Sequence, residues 1–384
     1  MATPVPRHFL DKIEALIRSN KLVVFYGAGI SKAPPSNLPL AKELRNYLLE
    51  KLLGSEDRQR FKAKFENVPL EAVIEVIDRN SEKFLLSLAE LFQSAQPNRN
   101  HFFFAKLIAK GYLQTIMTTN FDMLLEKALS QHNYIRFGVY SSEEDFADLQ
   151  LSDLLQPSVV KIHGTADDLA SIRSTLSQIA MHWRSEARRQ VLSLFFSGLQ
   201  KDILILGYRA KDEFDINPFL RSLKTTTKIY EVEHASSDIF EICSLEDPFA
   251  QFQGVKVKCN THQLLSALQK KLLGETESRE LNDIATWERF LEKWERELDD
   301  ATRLFISSDL MELIEQLEEA RKFLLNCLTQ CSQSEDKKMR VLLNLGNVEE
   351  KMALFAEAEE HFKACFNIAR DLGNDIVKAG SLQH

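Results

Sequence analysis

Cysteine is sparse in this chain. Five stand among 384 residues, at Cys243, Cys259, Cys327, Cys331 and Cys365. No two form a C-x-x-C pair, which excludes the thiol set of a zinc ribbon. Cys327 and Cys331 are spaced to share one helix face, and an odd count fits reduced, mostly buried thiols. Long apolar runs are missing too, so no membrane span is expected. Met1 to Leu10 carries prolines and charge but no apolar signal core, and the expected compartment is the cytoplasm. Excess positive charge is absent. The formal net charge of −8 argues against a general nucleic-acid or anionic-membrane surface, though a local basic patch is compatible with it. What remains is the composition of a globular protein, 44% hydrophobic and 27% charged, long enough for two domains.

The stretch that organises the rest is Leu22-Val23-Val24-Phe25-Tyr26 followed by Gly27-Ala28-Gly29-Ile30-Ser31. A short continuous apolar run predicts a strand buried on both faces of a parallel sheet. The glycines permit a sharp turn and close approach of a ligand, and unpaired N–H groups at such a turn suit a phosphate. A glycine-rich turn that merely closes a core strand explains this stretch equally well. The dehydrogenase fingerprint does not fit, because Lys32 occupies the third glycine position and no compact βαβ unit follows.

Further strands are predicted at Leu113–Met117, Tyr134–Tyr140, Ser158–Ile162, Asp202–Leu206, Thr227–Val232 and Val255–Cys259, alternating with helical spacing. Helices are predicted from about Arg7 to Ser19, from about Leu38 to Leu53 with Gly54 as its cap, and through a long segment from Ser174 to Gln200 containing Trp183. Residues 55–110 read as a helical insertion between the first two strands. The fold expected is α/β, a Rossmann-like open parallel sheet with that insertion, followed by an all-α C-terminal region. The expected boundary divides a catalytic domain over 1–275 from a helical region over 276–384.

Four strand ends stand out: Gly27 to Ser31, Thr118-Thr119-Asn120-Phe121-Asp122, His163-Gly164, and Gly207 to Asp212. Ligands bind at the C-terminal ends of strands in an open parallel sheet, so the four can converge on one crevice. Taken singly, each has a plain structural use. Asn120 can cap a helix, Asp122 can sit in its first turn, and a lone histidine is more often a hydrogen-bonded core residue.

In this order, however, the motifs resemble the sirtuin superfamily. Gly27 to Ser31 is similar to its nucleotide loop, Thr118 to Asp122 to its T-Q-N-x-D block, and His163-Gly164 to its histidine–glycine pair. Gly207 and Asp212 loosely match a later loop that closes over the nucleotide. The resemblance covers about residues 10 to 275 and implies NAD as substrate. It implies Gly27, Ala28 and Gly29 at the pyrophosphate, and Ser31 donating to a phosphate or ribose. It places Asn120 on a ribose hydroxyl or the attacking water, Asp122 on the nicotinamide carboxamide, and His163 as general base. Glu231 and Glu233 are candidates for the adenosine ribose. Thr119 replaces the family glutamine, the zinc-binding cysteines of protein-deacylating sirtuins are missing, and Lys32 to Pro39 replaces their G-I-P-x-F-R continuation. The chain therefore looks more like the bacterial sirtuin-like proteins of antiphage defence, which cleave NAD and often carry further C-terminal domains; no metal is expected. The expectation is a gated NAD glycohydrolase. The alternatives are an NAD-dependent protein deacylase or ADP-ribosyltransferase, or a non-catalytic NAD or ADP-ribose sensor.

The C-terminal region carries a faint repeat. Ala320, Leu324 and Cys327 recur 38 residues on as Ala358, Phe362 and Cys365, with Leu342, Leu345 and Gly346 before the second set. This resembles the tetratricopeptide pattern, and Gly380, 34 residues after Gly346, marks a further repeat that would continue past the chain end. An ordinary helical bundle is the alternative. A protein trigger at these helices and a homo-oligomer are the expected partners beside NAD, the gate being needed because an unregulated NAD hydrolase would drain its own cell.

Overall fold

The structure is a computed structural model that describes residues 5–131, 136–182, 185–210, 213, 216–274, 286–331 and 334–373. Tyr134, Trp183, Asp212 and Gly380 of the sequence reading lie outside the described residues. The chain packs as two compact units, Met1–Leu40 with Leu88–Phe290, and Ala41–Ser87 with Leu291–His384.

The first unit is built on eight strands: β1 (Leu22–Tyr26), β2 (Thr115–Thr118), β3 (Gly138–Tyr140), β4 (Ser158–Lys161), β5 (Asp202–Leu206), β6 (Lys228–His234), β7 (Phe240–Cys243) and β8 (Gln253–Cys259). They form one sheet in the order β3-β4-β2-β1-β5-β6-β8-β7. Every pairing is parallel except β7 with β8. This is the open, mostly parallel, Rossmann-like sheet the alternating pattern predicts. β7 was not anticipated. It is a four-residue edge strand, Phe-Glu-Ile-Cys, with no fully buried residue, so it carries no apolar run to announce it.

The apolar runs are continuous because both sheet faces are covered. Val24, Tyr26, Leu204 and Leu206 pack on one face with helices Arg7–Arg18, Arg99–Ala109, Leu124–Ser130 and Thr261–Leu273. Val23, Phe25, Ile203 and Ile205 pack on the other, with Val191, Phe195, Phe196 and Phe219 among their neighbours. No residue of β1 is more than 1% exposed. The chain leaves β1 for β2 on one side and later returns to β5 on the other. That reversal makes the C-terminal ends of β1 and β5 the switch point of the sheet, the place where ligands bind in open α/β sheets.

The second unit is all helical. Its helices are Ala41–Arg60, broken at Gly54 (φ +74°), Lys62–Phe65, Leu70–Asn80, most of Glu288–Glu297, Asp300–Leu313, Leu317–Gln330, Glu335–Lys351 and Phe355–Asp371. The helices from Ala41 to Asn80 therefore group with the C-terminal ones. Ser307 donates to the Leu52 carbonyl at 2.9 Å, Arg303 to that of Lys51 at 2.7 Å, and the Trp294 indole to Ser81 at 2.8 Å. Only the later part of the predicted insertion, Arg99–Ala109, packs on the sheet. The last four helices pair as two hairpins. Ala320, Leu324, Cys327 and their counterparts Ala358, Phe362, Cys365 are all buried. Gly346 lies so close to Phe362 that an added Cβ would stand 2.4 Å from the ring, which accounts for a glycine inside a helix. The Cys327 and Cys331 sulfurs are 3.7 Å apart.

Candidate functional site

The loops after β1 and β5 meet back to back. Gly27 donates its N–H to the Leu206 carbonyl and Gly29 to that of Gly207, both at 3.0 Å. A Cβ on Gly27 would stand 2.8 Å from the Gly207 oxygen, and one on Gly29 would stand 2.7 Å from the Gly207 Cα. Gly207 itself has φ +60°, in the left-handed region. These glycines are required first by each other. The N–H groups of Gly27 and Gly29, which the sequence reading offered to a phosphate, are already engaged. Ala28 to Ser31 forms a single 3-10 turn, with Ala28 and Gly29 half-buried and Ile30 and Ser31 buried.

Ser31 ends that turn inside a polar cluster. Its hydroxyl donates to Asp122 Oδ2 at 2.8 Å. Asn120 Nδ2 donates to Ser31 Oγ at 3.1 Å and to Asp122 Oδ2 at 3.0 Å. A carboxylate oxygen only accepts, so the nitrogen side of the Asn120 amide must face it. Those two oxygens are themselves 2.8 Å apart, so they share one amide hydrogen, and Oδ1 of the amide is an acceptor. Asp122 Oδ1 accepts the N–H of Leu124 at 3.1 Å, the first-turn role open to it from sequence. The structure thus brings Ser31, Asn120 and Asp122 together, as the strand-end argument expects. Thr119, half-buried, donates its N–H to the Tyr26 carbonyl at 3.3 Å, tying the loop after β2 to the end of β1.

Three residues that sequence reasoning missed hold this cluster. His101 is fully buried, with Nε2 3.3 Å from Ser31 Oγ and Nδ1 3.2 Å from the Asn98 N–H. Burial pushes its pKa down to about 4, against the pull of Asp122. Asn98 caps the helix Arg99–Ala109, and its Nδ2 reaches the carbonyls of Ile30 at 2.9 Å and Ala33 at 3.1 Å. Lys161 ends β4 with no exposed side-chain surface. Its ammonium donates to the carbonyls of Phe121 (3.2 Å) and Asp122 (2.6 Å), to Glu126 (2.7 Å) and to Thr165 (2.9 Å). Burial raises the Glu126 pKa although Lys161 opposes it. Two signals were available: the N-x-x-H spacing of a capping box at Asn98–His101, and a lone lysine in the apolar run Ser158–Ile162.

His163 follows β4. It is buried, its ring lies 6.4 Å from that of Phe121, and its carbonyl accepts the Arg173 N–H at 2.9 Å. It lies beside Phe121, the residue between Asn120 and Asp122; Ser31, His101, Asn120 and Asp122 are joined by hydrogen bonds. Gly164 has φ +91°, and a Cβ there would lie 2.1 Å from the Ser171 carbonyl oxygen. Next to it, Arg188 is buried and donates to the Ile162 carbonyl.

The adenosine-ribose candidates sit elsewhere on the sheet. Glu231 is buried within β6, opposite Lys256 of β8, and desolvation raises its pKa. Glu233, more exposed, pairs with Lys256 at 2.7 Å. Asp212 is outside the described residues. Among the described residues no three His, Cys, Asp or Glu side chains gather as a metal site requires, and no helix is long and apolar enough to cross a membrane.

A family model of the SIR2-like domain matches residues 114–237, the stretch from β2 through β6 that carries Asn120, Asp122, His163 and Gly207. Among solved structures, one described as "Structural Basis for the Mechanism and Regulation of Sir2 Enzymes" is 16% identical. It covers 69% of this chain and 98% of its own, with a TM-score of 0.31. A second, a Sir2 variant with a deacetylated peptide and 3'-O-acetyl ADP-ribose, is 15% identical. It covers 70% and 99%, with a TM-score of 0.32. Superposition this loose carries no argument. The comparison with curated proteins finds no match.

Proposed function

We propose that this chain is an NAD glycohydrolase, releasing nicotinamide and ADP-ribose at the C-terminal ends of β1, β2 and β4. The match to the SIR2-like domain supports an NAD-using enzyme. The observation that carries the hydrolytic reading is the Asn120 amide. Its Nδ2 faces Ser31 and Asp122, which turns Oδ1 away from them as the acceptor offered to a ribose hydroxyl or a water. Cleavage breaks the bond between ribose C1' and the nicotinamide nitrogen. The bonding electrons leave with nicotinamide, and positive charge builds on the ribose. Water then adds at C1' and gives up a proton. Asn120 orients the hydroxyl or the water, and His163 is the group to take that proton. In this reading Asp122 holds Asn120 and Ser31 rather than the carboxamide, since its oxygens already accept three hydrogen bonds.

Gating in antiphage defence, a protein trigger at the tetratricopeptide-like hairpins and self-assembly belong to the same proposal. Cutting the chain at 275 is a poor probe of that gate, because it strips Ala41–Asn80 of the helices it packs with.

The test is purified protein incubated with NAD, with nicotinamide followed by chromatography. Wild type is expected to release it. Asn120→Ala should lose about 10²-fold or more in rate with its fold unchanged. NAD bound but intact after prolonged incubation would sink the hydrolase reading in favour of a sensor. Equal release by both proteins would remove Asn120 from the mechanism.

A further inference from the structure

We infer that His101 is a positioning residue which, from beneath the site, fixes the direction of the Ser31 hydroxyl and through it the Asn120 amide. The inference rests on the hydrolase reading for its consequence, but its geometry stands apart from it.

One backbone amide in the network has a role beyond choice. The Asn98 N–H points at His101 Nδ1 across 3.2 Å. A backbone N–H only donates, so Nδ1 must be the bare nitrogen. In a neutral ring the hydrogen then sits on Nε2. The ring is neutral because it is wholly buried. Nε2 lies 3.3 Å from Ser31 Oγ and therefore donates to it. Ser31 Oγ also receives Asn120 Nδ2 at 3.1 Å. A hydroxyl has two acceptor positions and one hydrogen. With both acceptor positions filled, the hydrogen has one direction left, toward Asp122 Oδ2 at 2.8 Å.

The opposite tautomer would reverse this. Hydrogen on Nδ1 would face the Asn98 N–H head on. A bare Nε2 would draw the Ser31 hydrogen away from Asp122, leaving two oxygens 2.8 Å apart with no proton between them. Ser31 could still accept from Asn120 but would no longer donate to Asp122, and the tie that holds Ser31, Asn120 and Asp122 as one cluster would be broken on one side.

This alters the role assigned to Ser31. The resemblance to sirtuins gave it a hydrogen bond to a phosphate or ribose. Here the hydroxyl's hydrogen and both acceptor positions are spent inside the protein, so Ser31 couples the buried His101 to Asn120. His101 also belongs to the helix whose cap, Asn98, grips the carbonyls of Ile30 and Ala33. One capping box therefore sets both the path of the loop after β1 and the polarity of the network beneath the site.

The first test does not need activity. Protein labelled with ¹⁵N-histidine should show, for the resonance lost in His101→Phe, a ring protonated on Nε2 alone at pH 7. A ring protonated on Nδ1, or on both nitrogens, overturns the inference whatever the protein does with NAD. The second test compares His101→Phe with His101→Gln, whose side-chain amide restores a donor near the Nε2 position. His101→Phe is expected to lose about 10²-fold in kcat while NAD affinity, measured by calorimetry, moves less than about threefold. His101→Gln should recover most of that loss. A parallel fall in kcat and affinity, or no recovery with Gln at matched melting temperature, would make His101 a packing residue only. Absence of NAD turnover in wild type, beside an Nε2-protonated ring, would count against hydrolysis without a trigger and leave the hydrogen-bond direction intact.

Discussion

Replacing Lys161 by Met should cost the sheet-bearing unit about 3–5 kcal/mol, the range for breaking a buried ion pair by removing one partner. The figure follows from what Lys161 does. Its side chain is fully buried, and its ammonium serves Glu126, Thr165 and the carbonyls of Phe121 and Asp122. Met fills similar volume with an unbranched chain, so the cavity contribution is small. The loss is electrostatic and polar: a buried carboxylate without its cation, and two carbonyls without their donor. The assay is hydrogen exchange of the amides in β2 and β4, read by mass spectrometry on the full chain. At 1.4 kcal/mol per decade, those amides should exchange roughly 10²- to 10⁴-fold faster. The loss should also ease with acid. Burial already raises the Glu126 pKa, and without Lys161 it rises further. A carboxyl whose folded pKa is raised takes its proton in the folded state first. The variant therefore regains stability as pH falls through that pKa and loses it as pH rises. Lys161→Met with Glu126→Leu should recover part of the loss, with about 1–3 kcal/mol left for the two carbonyls. A loss below about 1 kcal/mol for Lys161→Met, or one indifferent to pH, would refute this account of the loop after β2.

Two glycine replacements separate a steric clash from positive φ. Gly164→Ala should lower stability by at least about 2 kcal/mol, since positive φ and a Cβ 2.1 Å from the Ser171 oxygen act together. Gly274→Ala, also at positive φ but with nothing within 4 Å of its Cβ, should cost about 1 kcal/mol, and equal melting temperatures for the two would refute the clash. In the second unit, burial raises the Asp309 pKa to about 6, with the Asn80 amide pulling the other way. Its folded value exceeds the unfolded one, so its contribution is fullest below about pH 4 and is lost as pH rises through about 6, roughly 3 kcal/mol in all. Asp309→Asn should flatten that dependence in hydrogen exchange of helix Asp300–Leu313.

Most of the first unit was legible because its strands are buried on both faces. Leu22–Tyr26 and Asp202–Leu206 match the predicted spans, since an uninterrupted apolar run of that length has few other homes. The site motifs were legible as strand ends. What supports them was not. His101 reads as one more residue opening a helix, and only the third dimension brings its Nε2 to Ser31, 70 residues away in sequence. Lys161 reads as an interruption of an apolar strand, because sequence does not show four acceptors converging on one ammonium. The helices of 41–80 have ordinary amphipathic spacing, and such spacing says which face is buried without saying against what.

The glycines of the first loop show how one motif carries two explanations at different levels. In sequence, freedom at Gly27 and Gly29 reads as room for a ligand, yet both abut Gly207, and their N–H groups close onto Leu206 and Gly207. A Cβ at any of the three would push the loops after β1 and β5 apart. The path of the first loop then sets where Ser31 falls, and Ser31 touches both Asn120 and Asp122. Asn98 grips the same loop from the helix side, and Lys161 grips the loop after β2 from β4. Asn120 is thus located by contacts traceable to four strands and one helix, each independent of a ligand. On the hydrolase proposal, a site fixed this way would meet its substrate with little rearrangement, and its discrimination would lie in where the Asn120 acceptor is held.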